Sequence, residues 1–362
     1  MHIKQRRWWM IGGGIAAAFL ASIIGMLIWY QLQLRPVDAA NTERIAITIQ
    51  PGATPDQIAH ELKERTLIRS SLAFSIHAKL SRLAGGLQAG VHRISPSQST
   101  AEIVKQLQQA EHEELTVQFV PGAMLRDNST TTAADKKQDV RSVLERLGYD
   151  RDEIERAFMA DYSDYDNTLF KGRPAGAGIE GYVYGETYQV SADATVEQIL
   201  RRTFDEFVKQ ITARDLERKF AKQGLTLYEG ITLASIIQKE VSCHGTQLCD
   251  DQKQVAQVFF KRLKEGMSLG ADATFMYAAA QAGKLPTVDF DSLYNTRIHT
   301  GLTPGPISTP GIGALMAVAE PAAGDYLYFV SGDDGVNHFS RTEAEHVAAT
   351  EQYCIENCRL PE

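Results

Sequence analysis

The sequence has no surplus of basic residues, no H-E-x-x-H motif and no C-x2-C pair, and only four of its 362 residues are cysteine. Each absence excludes something. Lys and Arg number 37 against 45 Asp and Glu, a net charge of −8. Four of those bases, Lys4, Arg6, Arg7 and Arg35, lie in the first 35 residues, which hold no acid, so the remainder carries 33 bases against 45 acids, or −12. Such a surface offers no footprint for polyphosphate, and nucleic acid is excluded as an expected partner. Without H-E-x-x-H the common zinc-hydrolase helix is missing, and Cys243 and Cys249, even with His244 between them, lack the ligand spacing of common structural zinc sites. No metal and no cofactor is expected.

Ionisable groups are also missing from one long stretch. Trp8–Tyr30 contains none except the terminal phenol, and at 1.5 Å per helical residue its 23 residues are enough to cross a hydrocarbon core of ~30 Å. Trp8, Trp9, Trp29 and Tyr30 fall where interfacial aromatics settle, and Lys4, Arg6 and Arg7 precede the stretch. The expectation is a bacterial inner-membrane protein with residues 1–7 in the cytoplasm, an uncleaved transmembrane signal anchor at 8–30 and everything after it outside. The alternative is a cleaved signal peptide, although signal cores are shorter, ~7 to 15 apolar residues. All four cysteines, 243, 249, 354 and 358, would then lie in a compartment where disulfides persist; their three possible pairings stay open.

The chain as a whole has an ordinary globular composition, 44% hydrophobic and 23% charged, and is long enough for two domains. After a polar linker (31–43), Ile45, Ile47 and Ile49 alternate with smaller or polar residues as in a half-buried strand. Thr54 with Pro55 starts a helix, and Ser70 or Ser71 caps a second. Leu87 to Ile94 returns as a strand, and Ser99 with Glu102 forms a capping box for a third helix. Residues 44–112 are thus a small βααβα module. From 113 to 362 helical periodicity dominates (139–160, 195–222, 228–240, 252–265 and after Thr342), with strands at 115–121 and 326–330, and the class is α+β.

Chemistry concentrates around Glu180. Glycines flank it closely, and Tyr182, Tyr184 and Tyr188 follow. Glycine lets backbone approach a ligand, aromatic faces suit pyranose rings, and a carboxyl against apolar surface holds its proton to higher pH, as a general acid requires. Glu240 closes a helix whose Ile231, Ala234 and Ile237 form the buried face, and is a candidate second carboxyl of the same cleft. The loop from Gly301 to Gly311 has three prolines to set its path. His338 and His346 read as structural.

These residues carry a resemblance. Glu180-Gly181-Tyr182 with Thr187-Tyr188, Leu233 to Ile237 through Lys239-Glu240, Val258-Phe259 with Arg262-Leu263, Asp272, Tyr294-Asn295-Thr296, Pro304-Gly305-Pro306-Ile307 with Pro310-Gly311, and Tyr326 to Val330 before His338-Phe339-Ser340 occur in an order that resembles the endolytic murein transglycosylase family, the MltG or YceG-like group. Gly185-Glu186 depart from that family's usual Pro-Asp, and Ala273 stands where proline is usual. The resemblance implies an anchor, a LysM-like module and a catalytic domain. It also implies that Glu180 is the single acid/base of a lytic cleavage of peptidoglycan glycan strands, with peptidoglycan synthases as partners. Tyr182, Tyr188, Glu240, Asn295 and Ser308 are then the expected cleft lining.

Overall fold

The computed structural model describes residues 20–42, 45–50, 52–81, 87–108, 114–130, 132–133, 136–241 and 250–356. It divides into two compact units, Met1–Leu115 with Ser191–Asp193, and Thr116–Val190 with Ala194–Glu362. Both mix helices with two-stranded sheets, so the class is α+β.

The first unit starts with helix α1 (20–33), which leaves Leu20, Met26, Leu27 and Ile28 largely exposed. No described helix is long and apolar enough to cross a membrane; residues 8–19 of the expected span lie outside the described residues. The βααβα order holds: β1 (Ile45–Ile49), α2 (Pro55–Glu64), α3 (Ser71–Leu80), β2 (Gly90–Ile94) and α4 (Thr100–Gln106). β1 and β2 pair antiparallel with Ile45 opposite Ile94, which turns Ile47 and Ile49 into a core with Ile58, Leu62, Phe74, Ile94 and Ile103. Caps fix the helix starts. The Thr54 hydroxyl accepts from the Gln57 N–H, the Ser99 hydroxyl from the Glu102 N–H, and the Gln57 and Glu102 side chains return the bond to the cap residue's own N–H. The polar linker is bound to this unit: Arg69 donates to the carbonyls of Pro36 and Val37, and the Thr100 N–H to that of Leu34.

β3 (Glu114–Gln118), whose last three residues belong to the second unit, pairs with β4 (Thr187–Ser191). The stretch 139–160 forms two helices, α5 (Val140–Arg146) and α6 (Arg151–Phe158), because Asp150 caps a new start. Likewise 195–222 is broken between α7 (Val196–Ala213) and α8 (Leu216–Lys222) at Asp215, whose φ is +53°. α9 (Leu227–Glu240) runs through the core with ten of its fourteen residues buried, and its Gly230 lies so close to Phe220 that a Cβ would sit 2.2 Å from the ring. Around it lie α10 (Asp250–Lys264), α11 (Asp272–Ala282) and α12 (Ile312–Ala319). A hairpin of β5 (Tyr328–Ser331) and β6 (Asn337–Ser340) carries α13 (Glu343–Tyr353). His338 stacks on Tyr353 and His346 on Tyr328. Cys354 is disulfide-bonded; Cys243, Cys249 and Cys358 lie outside the described residues.

Candidate active site

Glu180 stands on a turn anchored from both sides, with Ile179, Tyr182 and Val183 buried around it. Gly181 makes the turn possible. Its φ is +84°, and a Cβ there would lie 2.3 Å from Cβ of Pro306. The turn therefore rests directly on the 301–311 loop, and that loop is fastened to α9. Tyr228 donates its hydroxyl to the Pro304 carbonyl, the Ile307 N–H donates to the Ser235 hydroxyl, and the Gly311 N–H donates to the Gln238 side chain. Thr309 in turn exchanges backbone bonds with Gly122 and Ala123, which fixes the strap 121–128.

That strap delivers the donor that grips the carboxyl. The Leu125 N–H reaches the two Glu180 oxygens at 3.0 and 3.2 Å, and the Tyr277 hydroxyl lies 3.4 Å from one of them. Arg126, next on the strap, is held by Glu155 at 2.6 Å. Burial pushes Glu180 up to about 7, against the opposing pull of the Leu125 and Gly181 N–H groups, the Tyr277 hydroxyl and Arg126. Desolvation wins because Arg126 is already paired with Glu155, and Lys239, which also feels Glu180, is shared with Asp127. Glu180 nonetheless keeps part of its surface open.

Beside it opens a pocket of about 440 Å³, lined among others by Met124, Asp127, Lys239, Glu240, Asp272, Met276 and Tyr277. Tyr277 is the shared wall, its ring in the pocket and its hydroxyl on Glu180. Glu240, the last residue of α9, is also raised to about 7, first by burial and then by Asp272, while the Ala273 N–H, Arg297 and Arg262 pull the other way. Asp272 opens α11 and is paired with Arg297.

Of the expected lining residues, only Glu240 faces this pocket. Tyr182 is fully buried, edge-on to Phe170 at 4.7 Å, and its hydroxyl has no hydrogen-bond partner among the described residues. Tyr188 is buried and donates to the Tyr184 carbonyl at 2.8 Å. Asn295 is buried and spends its amide on the carbonyls of Val288 and Phe290, closing its own loop. Ser308 is buried and donates to the Ser235 carbonyl. These four side chains support the site from behind. Accordingly, Tyr182→Phe should leave activity unchanged and raise stability by up to about 1 kcal/mol, because it removes a buried hydroxyl that bonds to none of the described residues. Thermal melts and a turnover assay check this, and a sugar-binding role would instead show as lost turnover.

Sequence reasoning missed Tyr277 and the whole of α11. The signal was an acid at the helix start with Gly283 just past its end, embedded in an alanine-rich stretch. Nothing in the sequence links Tyr277 to a carboxyl 97 residues earlier.

Two carboxyls raised above the unfolded value of about 4.5 have a consequence for folding. Between that pH and about 7 the folded chain binds more protons than the unfolded one, so stability is full below the window and declines as pH rises through it. Each group accounts for up to roughly 2–3 kcal/mol of this decline. Glu180→Gln and Glu240→Gln should each flatten the melting-temperature profile between pH 5 and pH 8, with the double variant flattest; parallel profiles would contradict the assignment.

Fold and site together define an α+β protein whose helical unit carries a proton-holding carboxyl on a rigid turn beside an open pocket. The chain belongs to the YceG-like family, whose model matches residues 47–352. It is 28% identical over 334 residues to the endolytic murein transglycosylase of Bacillus subtilis, covering 91% of this chain and 90% of that protein. The endolytic murein transglycosylase of Streptococcus pneumoniae D39 is 25% identical over 332 residues, covering 86% of this chain; the chain spans 59% of that protein's length. A crystal structure of a yceG-like protein from Listeria monocytogenes aligns with a TM-score of 0.52 at 26% identity, covering 84% of this chain and 99% of that one.

Proposed function

We propose that this chain is an endolytic murein transglycosylase that cleaves peptidoglycan glycan strands between N-acetylmuramic acid and N-acetylglucosamine. One observation carries the reading: Glu180 is a desolvated carboxyl that keeps its proton near neutral pH on a turn packed against Pro306. In the bond-breaking step the Glu180 proton passes to the glycosidic oxygen as positive charge develops at the muramyl C1. The carboxylate so formed takes the proton of the muramyl C6 hydroxyl, whose oxygen bonds to C1 and closes a 1,6-anhydro ring. Protons balance, water is not consumed, and Glu180 ends as it began. The Leu125 N–H and the Tyr277 hydroxyl stabilise the transient carboxylate and hold it in position.

The family membership and the named relatives support this reading. The anchor at 8–30 belongs to the same proposal. What supports it is the uncharged run of sequence behind Lys4, Arg6 and Arg7 and the exposed apolar side chains of α1. Tethering would confine cutting to strands close to the bilayer where peptidoglycan synthases work, and the βααβα module would serve as the LysM-like element that holds glycan. Mass spectrometry of strands digested by the purified protein tests the chemistry. Fragments ending in 1,6-anhydro-N-acetylmuramic acid are expected; reducing ends would mean hydrolysis by water, and intact strands would mean a binding scaffold.

A further inference from the structure

Glu240 has no part in the cleavage above, since Glu180 carries both proton transfers. Yet its carboxyl lines the pocket beside Tyr277, at the point where the C-terminus of α9 meets the first turn of α11. The groups facing it come from three directions. From α11 come the Ala273 N–H, which donates to it, and Asp272; Arg297 follows from the 284–311 segment and Arg262 from α10, while Lys239, the preceding residue of α9, lines the same pocket but interacts with Asp127 and Glu180. Both guanidinium groups are engaged elsewhere. Arg297 pairs with Asp272, while Arg262 donates to the carbonyls of Leu327 at 2.7 Å and Leu269 at 2.6 Å. Half-buried beside a second carboxyl, and with both nearby guanidinium groups bonded to other partners, Glu240 is favoured in its neutral form. One oxygen then accepts from the Ala273 N–H, which leaves an O–H donor on a carboxyl that lines the pocket.

We infer that Glu240 is a substrate-positioning residue whose carboxylic O–H donates a hydrogen bond to the acetamido carbonyl of an amino sugar held beside Glu180. The chemistry of the wall fits that group. Met124, Ala273, Met276 and Ile307 give apolar surface for an acetyl methyl on the same wall as the Glu240 donor for its oxygen. A stem-peptide carbonyl shares the acceptor chemistry, and removal of the peptide in the test below separates the two sources. The inference rests on the glycan-cleaving reading and deepens it.

The test uses the full chain carrying Glu180→Gln, in which Glu180 no longer titrates and strands survive, and measures Kd calorimetrically for a soluble, uncrosslinked N-acetylglucosamine–N-acetylmuramic acid strand. At pH 6, adding Glu240→Ala should weaken Kd by about tenfold, the worth of one buried hydrogen bond, whereas Glu240→Gln, which keeps both a donor and an acceptor, should stay within about twofold. From pH 6 to pH 8 the Glu180→Gln protein should lose affinity as Glu240 ionises, and the version that also carries Glu240→Gln should not. A de-N-acetylated strand should erase the difference that Glu240→Ala makes, and a peptide-stripped strand should preserve it. Should Glu240→Ala fail to fold, the pH comparison with Glu240→Gln carries the test alone. Equal Kd for all three proteins at pH 6, or pH-independent binding with Glu240 present, overturns the inference; a tenfold difference that survives de-N-acetylation overturns the acetamido assignment. Persistent cleavage by Glu180→Gln would instead overturn the activity reading, a separate outcome scored on strand length.

Discussion

Glu180→Gln is expected to lower turnover of peptidoglycan strands by roughly 10²–10⁴-fold while the protein remains folded. Glutamine keeps the shape, and its carbonyl oxygen can still accept the Leu125 N–H that holds the carboxyl at 3.0 Å. It cannot release a proton to a glycosidic oxygen or take one from a hydroxyl, so both halves of the reaction stop at the same atom. Stability should move the opposite way from activity. At pH 8 the wild-type protein carries a poorly solvated carboxylate at this position, and the amide relieves it, so the variant should melt at or above the wild-type temperature. Circular dichroism melts and a strand-release assay on one preparation separate the two effects. Turnover within a few-fold of wild type would remove Glu180 from the chemistry.

Gly181→Ala is the second large effect, and it acts through packing. The residue would have to hold a left-handed backbone at φ +84° and place a methyl 2.3 Å from Pro306. Neither neighbour can yield cheaply, because Pro306 lies between the Pro304 carbonyl bound by Tyr228 and the Ile307 N–H bound to Ser235. Left-handed strain costs ~1–2 kcal/mol, and the overlap adds to it, for a total of about 3–5 kcal/mol. That corresponds to a drop in melting temperature of roughly 10 °C in a domain of this size, together with loss of activity. Gly178→Ala is the control. It has open space around its Cβ position and no positive φ, so it should fall within about 0.5 kcal/mol of wild type. Equal melting temperatures for the two variants would mean that the turn under Glu180 is not fixed by Pro306.

Local chemistry was readable from the sequence wherever a few adjacent residues decide the outcome. Thr54 with Pro55 and Ser99 with Glu102 marked helix starts that the structure forms, and the alternation of Ile45, Ile47 and Ile49 matches the strand paired with β2. Continuous helical periodicity across 139–160 and 195–222 concealed breaks, because a buried face can continue through a turn that Asp150 or Asp215 introduces. The aromatic residues after Glu180 illustrate the harder limit. Tyr182 and Tyr188 have the composition of a sugar platform, yet a turn that holds a carboxyl rigidly needs large anchors behind it, and their apolar area goes to the core against Phe170, Phe207 and Phe119. Composition alone gives no sign of which side of a turn a ring will take. The same holds for α11, whose Tyr277 and Asp272 reach Glu180 and Glu240 only through the packing of distant segments.

Everything in the proposed chemistry depends on Glu180 being protonated at the pH where the protein works. Infrared difference titration, wild type minus Glu180→Gln, reads that proton directly from the carboxylic C=O stretch. A midpoint near pH 7 is the expected result. Ionisation complete by about pH 5.5, as for an ordinary solvated glutamate with its midpoint near 4.5, would contradict it.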